Sequence, residues 1–382
     1  MRMLDTKTFE DFLKQQKEPE QTKAKRREAF ALAQTLPMPL SRFSRLRLRT
    51  DFSKLDISKL HLGNRHREMQ PSLQGGVVVK YGNDVVYEKE DENKLSLLHR
   101  AFGVGDSFRV LAHKEIEKPI EIHEKAHESS AAYFFTHVIH LEKGARATFI
   151  YDIQNEAADS LVSNRLFVSL EEGAELELVT ISGGRGMAWQ YGNEVVKLGA
   201  KSRLTWIDIA RGKGVRQVSK RAILEGNESE ARFYGMFALG DGDHFDFIGG
   251  LEHQGVRTLG DVLIKGTLTT GAEVVFEGIL KVLKTAQKTE SSLYDHTLVL
   301  SPGVKMDSVP GLEIEANDVR VRHGASASPI NEEQLFYLQS RGLSVVQARE
   351  MIIKGFTQPI FDHISTRARM AVERVIEFQP NI

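Results

Sequence analysis

The chain has 382 residues, of which 41% are hydrophobic and 27% charged, a composition typical of soluble globular proteins. Lysine and arginine total 51 and aspartate and glutamate total 52, and the resulting net charge of −1 argues against a dedicated nucleic-acid-binding or membrane-surface protein. The chain has no cysteine, which excludes disulfides, cysteine-ligated zinc, a cysteine nucleophile and a metal cluster held by thiolates of this chain alone.

Residues 1–74 are predicted to form an N-terminal helical region. Its first residues alternate charged and apolar side chains without the apolar core of a signal peptide, and no stretch of the chain approaches the roughly 18 apolar residues of a membrane span. Phe9, Phe12 and Leu13 have helical spacing, and a second helix is predicted around residues 24–36, before Pro37. The protein is therefore expected to be intracellular.

A basic stretch covers residues 23–49, with eight lysines or arginines and one acid, Glu28. Such a stretch can bind phosphate groups. The favoured interpretation is a solvated helical face followed by a loop.

Residues 75–328 are predicted to form a β core built of repeated units. Each unit is a strand, a glycine-containing turn and an alternating strand, and the segments that resemble one another begin at Leu141, Leu170, Leu198, Leu224, Leu268 and Leu300. These starts are separated by 29, 28, 26, 44 and 32 residues, and the spacing of 44 is interpreted as about two short repeats. A propeller blade would need about 40–45 residues, so the shorter period favours one coil of a parallel β-helix, a β-solenoid.

Residues 329–382 are predicted to form a C-terminal helical domain of three helices. The first is capped by Asn331 and ends at Gly342, and the second follows Ser344, which forms a capping box with Gln347. A third is predicted to begin at Pro359. Its apolar positions recur every four residues, at Ile360, Ile364, Ala368 and Val372.

Glycine-rich segments at residues 183–186 and 212–214 lack the spacing of phosphate-binding loops and are predicted to be turns, so the chain is not expected to hydrolyse ATP. Of the 13 histidines, His123, His127, His137 and His140 lie close together in the sequence. His137 and His140 would point to opposite faces of a strand, which disfavours a shared metal site.

Two functional hypotheses follow from the residues alone. One is a β-helix lyase or hydrolase acting on polysaccharides, for which Asp241, Asp243, Asp246 and Arg257 are the candidate cleft residues, although the first three are better explained as a turn. The other is a scaffold or binding module.

A long C-terminal segment carries a family resemblance. Residues 312–356, LEIEANDVRVRHGASASPINEEQLFYLQSRGLSVVQAREMIIKGF, resemble the signature region of the SufB/SufD iron–sulfur cluster assembly proteins. The upstream segments IKGTLTTGAEVVFEGILKV and TAQKTESSLYDHTLVLS are similar to further motifs of that family.

The resemblance implies a right-handed parallel β-helix flanked by N-terminal and C-terminal α-helical regions. It also implies a noncatalytic scaffold that pairs with a SufB-like subunit, or with itself in a divergent homodimer, and that docks the SufC ATPase, where ATP would be hydrolysed. A transient iron–sulfur cluster or iron would be shared with the partner, in the cytoplasm. No nucleic-acid or membrane partner is expected.

The resemblance also implies which subunit this is and which residues serve it. The essential cysteine of SufB would fall around residues 294–296, where this chain has none, whereas His323 in HGAS matches the histidine of the SufD motif HGAT. A SufD-like subunit would use His323 as an iron or cluster ligand at the subunit interface. Its ATPase-docking helices would carry or be supported by Phe336, Tyr337, Arg341 and Phe356.

Overall fold

The structure, a computed structural model, describes residues 4–39, 50–69, 75–81, 93–184 and 186–376. Its helices are α1 (Thr6–Gln15), α2 (Glu20–Thr35), α3 (Lys94–Phe102), α4 (Glu332–Ser340), α5 (Val345–Phe361) and α6 (Thr366–Ile376), with 3₁₀ turns at Phe52–Lys54 and Ile57–Lys59. Its strands are β1 (His61–Leu62), β2 (His66–Met69), β3 (Val77–Tyr81), β4 (Val104–Val110), β5 (Ile120–Ala126), β6 (Ala131–Leu141), β7 (Arg146–Asn155), β8 (Leu161–Leu170), β9 (Glu175–Gly184), β10 (Ala188–Leu198), β11 (Arg203–Arg211), β12 (Gly214–Leu224), β13 (Glu230–Leu239), β14 (His244–His253), β15 (Leu259–Leu268), β16 (Glu273–Val282), β17 (Glu290–Val299), β18 (Lys305–Ile314) and β19 (Arg320–Pro329).

The strands from β4 onward alternate between two sheets, so that two strands and two turns make one coil of a solenoid. Sheet 1 has the order β18-β16-β14-β12-β10-β8-β6-β4-β3, with β1 beside β6, and sheet 2 has the order β19-β17-β15-β13-β11-β9-β7-β5-β2. Neighbouring strands are parallel, except that β2 and β3 pair antiparallel with β5 and β4. The predicted mainly β, parallel solenoid is confirmed.

The core lies between the two sheets because every second side chain of each strand points inward. Leu141, Leu170, Leu198 and Leu224 pair in register on successive strands of sheet 1 and are all buried. If one strand slipped by one residue against its neighbour, its buried side chains would move to the outer face of the sheet. The burial of these leucines therefore maintains the register from coil to coil.

The interpretation of the 44-residue spacing as about two short repeats is wrong. Leu224 pairs with His253, 29 residues later, and Leu268 ends a strand of the other sheet, so the spacing spans one and a half coils. Both turns of a coil use the same chemistry: Gly144, after β6, and Gly271, after β15, have φ values of 65° and 83°. Such left-handed conformations favour glycine, and a local repeat pattern therefore does not distinguish one sheet from the other.

The N-terminal helices pack on the outside of sheet 1, and Phe9, Phe12 and Leu13 are buried there as the helical spacing predicts. α3 falls within the range that the sequence assigns to the β core, and it packs against α2. Of the predicted basic stretch, residues 40–49 lie outside the described residues. Arg26 does not belong to a solvated face, because its guanidinium is fully buried and paired with Glu18.

The C-terminal helices cover the outer face of sheet 2. The predicted caps of the first two are confirmed, since Asn331 caps α4 and Ser344 forms a capping box with Gln347 at α5. The predicted start of the third helix is wrong. Pro359 lies inside α5, and the last helix begins at Thr366.

The apolar positions predicted for that third helix share one environment, although they lie in α5, in the connection after it and in α6. They are buried against β7, β9, β11 and β13, and they are Ile360, Ile364, Ala368 and Val372. Within the described ranges, no helix is both long and apolar enough to cross a membrane.

Candidate functional site

The last coil leaves the interior of the solenoid open at one end. β18 pairs with β16 and β19 with β17, and no described strand pairs with the opposite edge of either. Leu312 and Ile314 continue the inner row above the fully buried Leu280 and Val282, yet they are 36% and 42% exposed because no described coil covers them. We call this surface, formed by β18 and β19, the open end.

His323 lies in the inner row of the open end. It follows Val321, which packs against the core, by two residues, and it pairs in register with Leu293, which is fully buried. Because residues in register share a face of a parallel sheet, His323 belongs to the inward-facing row, and its side chain is exposed only because the solenoid stops there. An imidazole at this place can offer a nitrogen ligand to a metal ion held at a subunit interface.

One coil deeper lies a carboxylate that the sequence analysis did not assign to a site. Asp295 on β17 is fully buried, and the Ser308 hydroxyl donates a hydrogen bond to its Oδ2 at 2.7 Å. Burial raises the pKa of Asp295 to about 6, against opposing hydrogen bonds from Ser308 and then from Thr297. In the sequence, the alternation of β17 places Asp295 on the face of Leu293, and the family resemblance places the essential cysteine of SufB around residues 294–296.

The open end does not hold a complete metal site within this chain. Among the residues that the structure describes, no group of three or more histidine, aspartate or glutamate side chains converges to bind a metal ion. Any metal at His323 would therefore need ligands from solvent or from a second chain.

The free face of α4 displays three of the four residues expected to serve ATPase docking. Phe336 and Tyr337 are 73% and 56% exposed, and the Arg341 guanidinium carbon lies 5.1 Å from the centroid of the Tyr337 ring. Val345 and Val346, at the start of α5, add exposed apolar surface beside them.

Phe356 lies differently, on the side of α5 that faces the solenoid. The ammonium nitrogen of Lys265 on β15 lies 4.3 Å from the centroid of its ring, a cation–π contact. Phe356 and Tyr337 both line a groove of about 810 Å³ between α4, α5 and the ends of β17 and β19. Phe356 thus supports the position of α5, whereas Tyr337 is available at the surface.

The residues named for a polysaccharide cleft do not come together. Asp243 accepts hydrogen bonds from the backbone amides of Gly214 and Gly240 in the turn before β14, and Arg257 pairs with Glu228 in the turn after it. The ten residues of β14 separate these turns by roughly 30 Å. The predicted turn is confirmed for Asp241 and Asp243 but is wrong for Asp246, which lies on β14 and accepts a hydrogen bond from Thr50. The arrangement does not support a catalytic cleft.

The clustered histidines also separate as predicted. His137 is inside the solenoid, where its Nε2 is 3.0 Å from Glu124, whereas His140 is outside and contacts Ser169 and Glu171. His123 lies on the outer face of β5, between Asp152 and Glu121.

We expect the stability of the protein to depend on pH through His123. Hydrogen bonds to Asp152 and then to Glu121 raise its pKa from 6.5 to about 9, so this contribution to stability is complete below pH 6.5 and is lost as the pH rises through 9. His123→Gln should remove a contribution on the order of 3 kcal/mol at pH 6, and the difference from wild type should shrink by pH 9.5. Urea unfolding at both pH values measures this, with His127→Gln at an exposed site as the control. An equal destabilisation at both pH values would contradict it.

A second buried polar cluster lies inside the middle coils and was not found from the sequence. The Lys220 ammonium is 2.7 Å from both Glu194 and Asp208, and these three side chains are at most 5% exposed. Burial opposes the charge of Lys220, but Asp208 and Glu194 outweigh it and raise its pKa. Thr180 donates to Asp208 at 2.6 Å, so the cluster is hydrogen-bonded on several sides.

Comparison with known proteins agrees with this architecture. Residues 123–356 match the family model described as "SUF system FeS cluster assembly, SufBD core domain". The chain is 23% identical over 331 residues to the iron–sulfur cluster assembly protein SufB of Bacillus subtilis, which covers 82% of this chain and 71% of that protein. It is also 23% identical over 331 residues to an iron–sulfur cluster assembly SufBD family protein of Staphylococcus saprophyticus, with the same coverage. The matched core runs from β5 into α5, over more than half of the chain, and the protein therefore belongs to the SufBD family of iron–sulfur cluster assembly proteins.

Proposed function

We propose that this protein is a noncatalytic, SufD-like scaffold subunit of a Suf iron–sulfur cluster assembly complex. It pairs with a SufB-like subunit through the open end and docks the SufC ATPase through α4 and α5. Iron or a nascent cluster is the cargo, shared transiently with the partner in the cytoplasm, and ATP is hydrolysed in SufC.

The observation that carries the proposal is the open end. In the described part of the chain, the two edge strands have no strand partner on one side. Exposed Leu312 and Ile314 each continue an inner row whose members in the preceding coils are buried. Solenoids need a capping surface, and exposed edges pair readily with another chain. A second chain with a similar end would bury both features at once.

The docking of the ATPase is supported by the exposed apolar residues of α4 and α5. Phe336, Tyr337 and Val346 are each more than half exposed, on α4 and α5, and α5 itself packs against sheet 2 through Ile360. Aromatic side chains with a neighbouring arginine, here Arg341, are typical of residues that dominate protein–protein binding.

The experiment is native mass measurement of this chain co-expressed with the SufB-like and SufC subunits of its own organism. We expect one copy of this chain, one SufB-like subunit and two SufC subunits. Leu312→Arg should abolish pairing and Phe336→Asp should abolish SufC binding, whereas Leu259→Arg, at a leucine that is 46% exposed on β15, should affect neither. Self-association through the open end would instead indicate the homodimeric scaffold, and retention of the full assembly by Leu312→Arg would contradict pairing there.

We expect His323→Ala to lower the iron and sulfide content of the reconstituted complex without unfolding this subunit. Because the His323 side chain is exposed at the end of the inner row, its replacement by alanine should change the free energy of unfolding little. Iron and acid-labile sulfide are measured after reconstitution, together with the unfolding midpoint, and His127→Ala serves as the histidine control. Unchanged iron and sulfide in His323→Ala would exclude its role as a ligand.

A further inference from the structure

The two halves of α5 are held to the solenoid in different ways. The end of the helix is buried, since Thr357 is 8% and Ile360 0% exposed, and Ile360 joins the apolar cluster on sheet 2. Over residues 345–354 the buried side chain is Ala348, and the residues of α4 are all exposed or half-buried. We call α4 and this first half of α5, residues 332–354, the helical hairpin. It has few of the buried contacts that make a segment rigid.

An open groove separates the helical hairpin from the end of the solenoid. This is the groove of about 810 Å³, lined by Leu298 and Pro329 of the strands and by Tyr337, Met351 and Ile352 of the hairpin. A closely packed interface resists movement, because every displacement creates a clash or a void. The groove instead leaves space into which the hairpin can move towards the strands.

The contacts that span the groove are made by long charged side chains. The Arg349 guanidinium donates a hydrogen bond to the backbone carbonyl of Leu300, in the turn after β17. At the end of the hairpin, the Lys265 ammonium lies over the ring of Phe356, at 4.3 Å from its centroid. A surface hydrogen bond and a cation–π contact can break without opening a hydrophobic core. They therefore hold one position of the hairpin without making it the only one.

The turn of α5 between the hairpin and the buried end carries three features that weaken a helix. Gly355 has the backbone freedom of glycine, and a methyl group there would meet nothing within 4 Å beyond its own helix, so packing does not require a glycine. Pro359, four residues later, has no N–H to donate to the Gly355 carbonyl. Thr357 Oγ1 donates to the Ile353 carbonyl at 3.0 Å, an arrangement that often bends helices.

We propose that residues 355–359 are a hinge, about which the helical hairpin moves relative to the solenoid and so opens and closes the groove. Hinges are typically a few residues that absorb a change of backbone angle between two rigid parts, as this turn is placed to do. The purpose of the hinge rests on the proposed function, in which the hairpin docks the SufC ATPase. Docking helices that can change their angle remain bound to a partner whose shape changes between its nucleotide states.

The absence of cysteine allows the movement to be measured with spin labels on the full-length chain, because introduced cysteines are then the only labelling sites. One label replaces Val346, which is exposed on the hairpin, and the other replaces Leu259, which is exposed on β15. We expect a distribution of distances that includes two separations. Gly355→Ala and Pro359→Ala should each narrow it to one, because alanine favours a continuous helix at both positions.

The matched control is a second pair of labels that the hinge does not separate. A label replacing Met370, which is 77% exposed on α6, is paired with the one at Leu259. Its distance distribution should be narrow, and neither alanine substitution should change it. Lys265→Gln should have the opposite effect on the hairpin pair and broaden its distribution, because the contact with Phe356 loses its cation.

Hydrogen exchange of residues 353–359 tests the hinge without labels. Gly355→Ala should slow this exchange about fivefold, the factor that corresponds to the difference in helix propensity between glycine and alanine. Exchange in the middle coils should not change, and the urea midpoint verifies that each variant is folded.

A single narrow distance between the labels at Val346 and Leu259 in the chain without further substitution would overturn the hinge. A distribution that neither alanine variant narrows, or hydrogen exchange that Gly355→Ala leaves unchanged, would also overturn it. These outcomes do not depend on SufC. A chain that binds SufC through a rigid hairpin would contradict only the hinge, whereas a moving hairpin that does not bind SufC would contradict only the proposed docking.

Discussion

Lys220→Met is expected to destabilise the protein by about 3–5 kcal/mol, the cost of breaking a buried ion pair by removing one partner. Lys220 is 3% exposed and lies between Glu194 and Asp208, each 2.7 Å away. Methionine has nearly the same volume, so the loss is electrostatic: two carboxylates inside the solenoid lose the ammonium group that lies 2.7 Å from each of them. Burial already raises the pKa of Glu194, and the variant should bind a proton there to relieve part of the cost.

Urea unfolding of the full chain at pH 8 measures the effect, with the slope of the transition as a check on compactness. Lys197→Met is the matched control, because Lys197 is 40% exposed and its ion pair with Glu225 is long, at 3.8 Å. The control should change stability by no more than about 0.5 kcal/mol.

In a second variant, adding Glu194→Gln and Asp208→Asn to Lys220→Met should recover much of the lost stability, since no uncompensated charge remains. Equal effects of Lys220→Met and Lys197→Met would exclude an electrostatic role for the cluster.

Arg26→Met is expected to loosen the packing between α2 and α3. The Arg26 guanidinium is fully buried and makes paired hydrogen bonds with both carboxylate oxygens of Glu18, at 2.8 and 2.9 Å. It also donates to the carbonyl oxygens of Ala101, at 2.7 Å, and Gly103, at 2.9 Å, where α3 ends. Its removal takes these hydrogen bonds from a buried carboxylate and two carbonyl oxygens, which should cost about 3–5 kcal/mol.

The expected loss is local, because the hydrogen bonds of Arg26 go to Glu18 and to backbone carbonyls at the end of α3, and its guanidinium lies 5.7 Å from the centroid of the Phe12 ring in α1. Hydrogen exchange should accelerate in α2 and α3 and remain unchanged in the middle coils. Arg26→Lys should fall between wild type and Arg26→Met, because an ammonium keeps the charge but not the planar fork of donors. Arg27→Met, at an exposed neighbour paired with Glu10, is the control. Uniform acceleration across the solenoid, or none in α2 and α3, would show that Arg26 is not the anchor of this region.

Local patterns in the sequence determined the elements and the class of fold. Alternating apolar residues, glycine turns about 28 residues apart and the capping residues Asn331 and Ser344 each act within a few residues of the chain, and the structure confirms them. A local sequence pattern does not distinguish two structural elements that share the same local chemistry. The spacing of 44 residues does not reveal that it spans one and a half coils, because both turns of a coil accept the same glycine conformation. Pro359 has the sequence signal of a helix start, although it lies inside α5.

The family resemblance in the sequence identified His323 and the exposed side chains of α4, but not what surrounds them. Only the register of the coils decides that His323 continues an inner row, because that depends on its pairing with Leu293, 30 residues earlier. The same is true of Asp295 beneath the last coil and of Lys220 between Glu194 and Asp208, which lie on three different strands. Side-chain alternation along one strand is a local steric property that a sequence displays directly. Which charges meet inside the solenoid depends on stacking between coils, and burial of the hydrophobic rows selects that stacking only when the whole chain has folded.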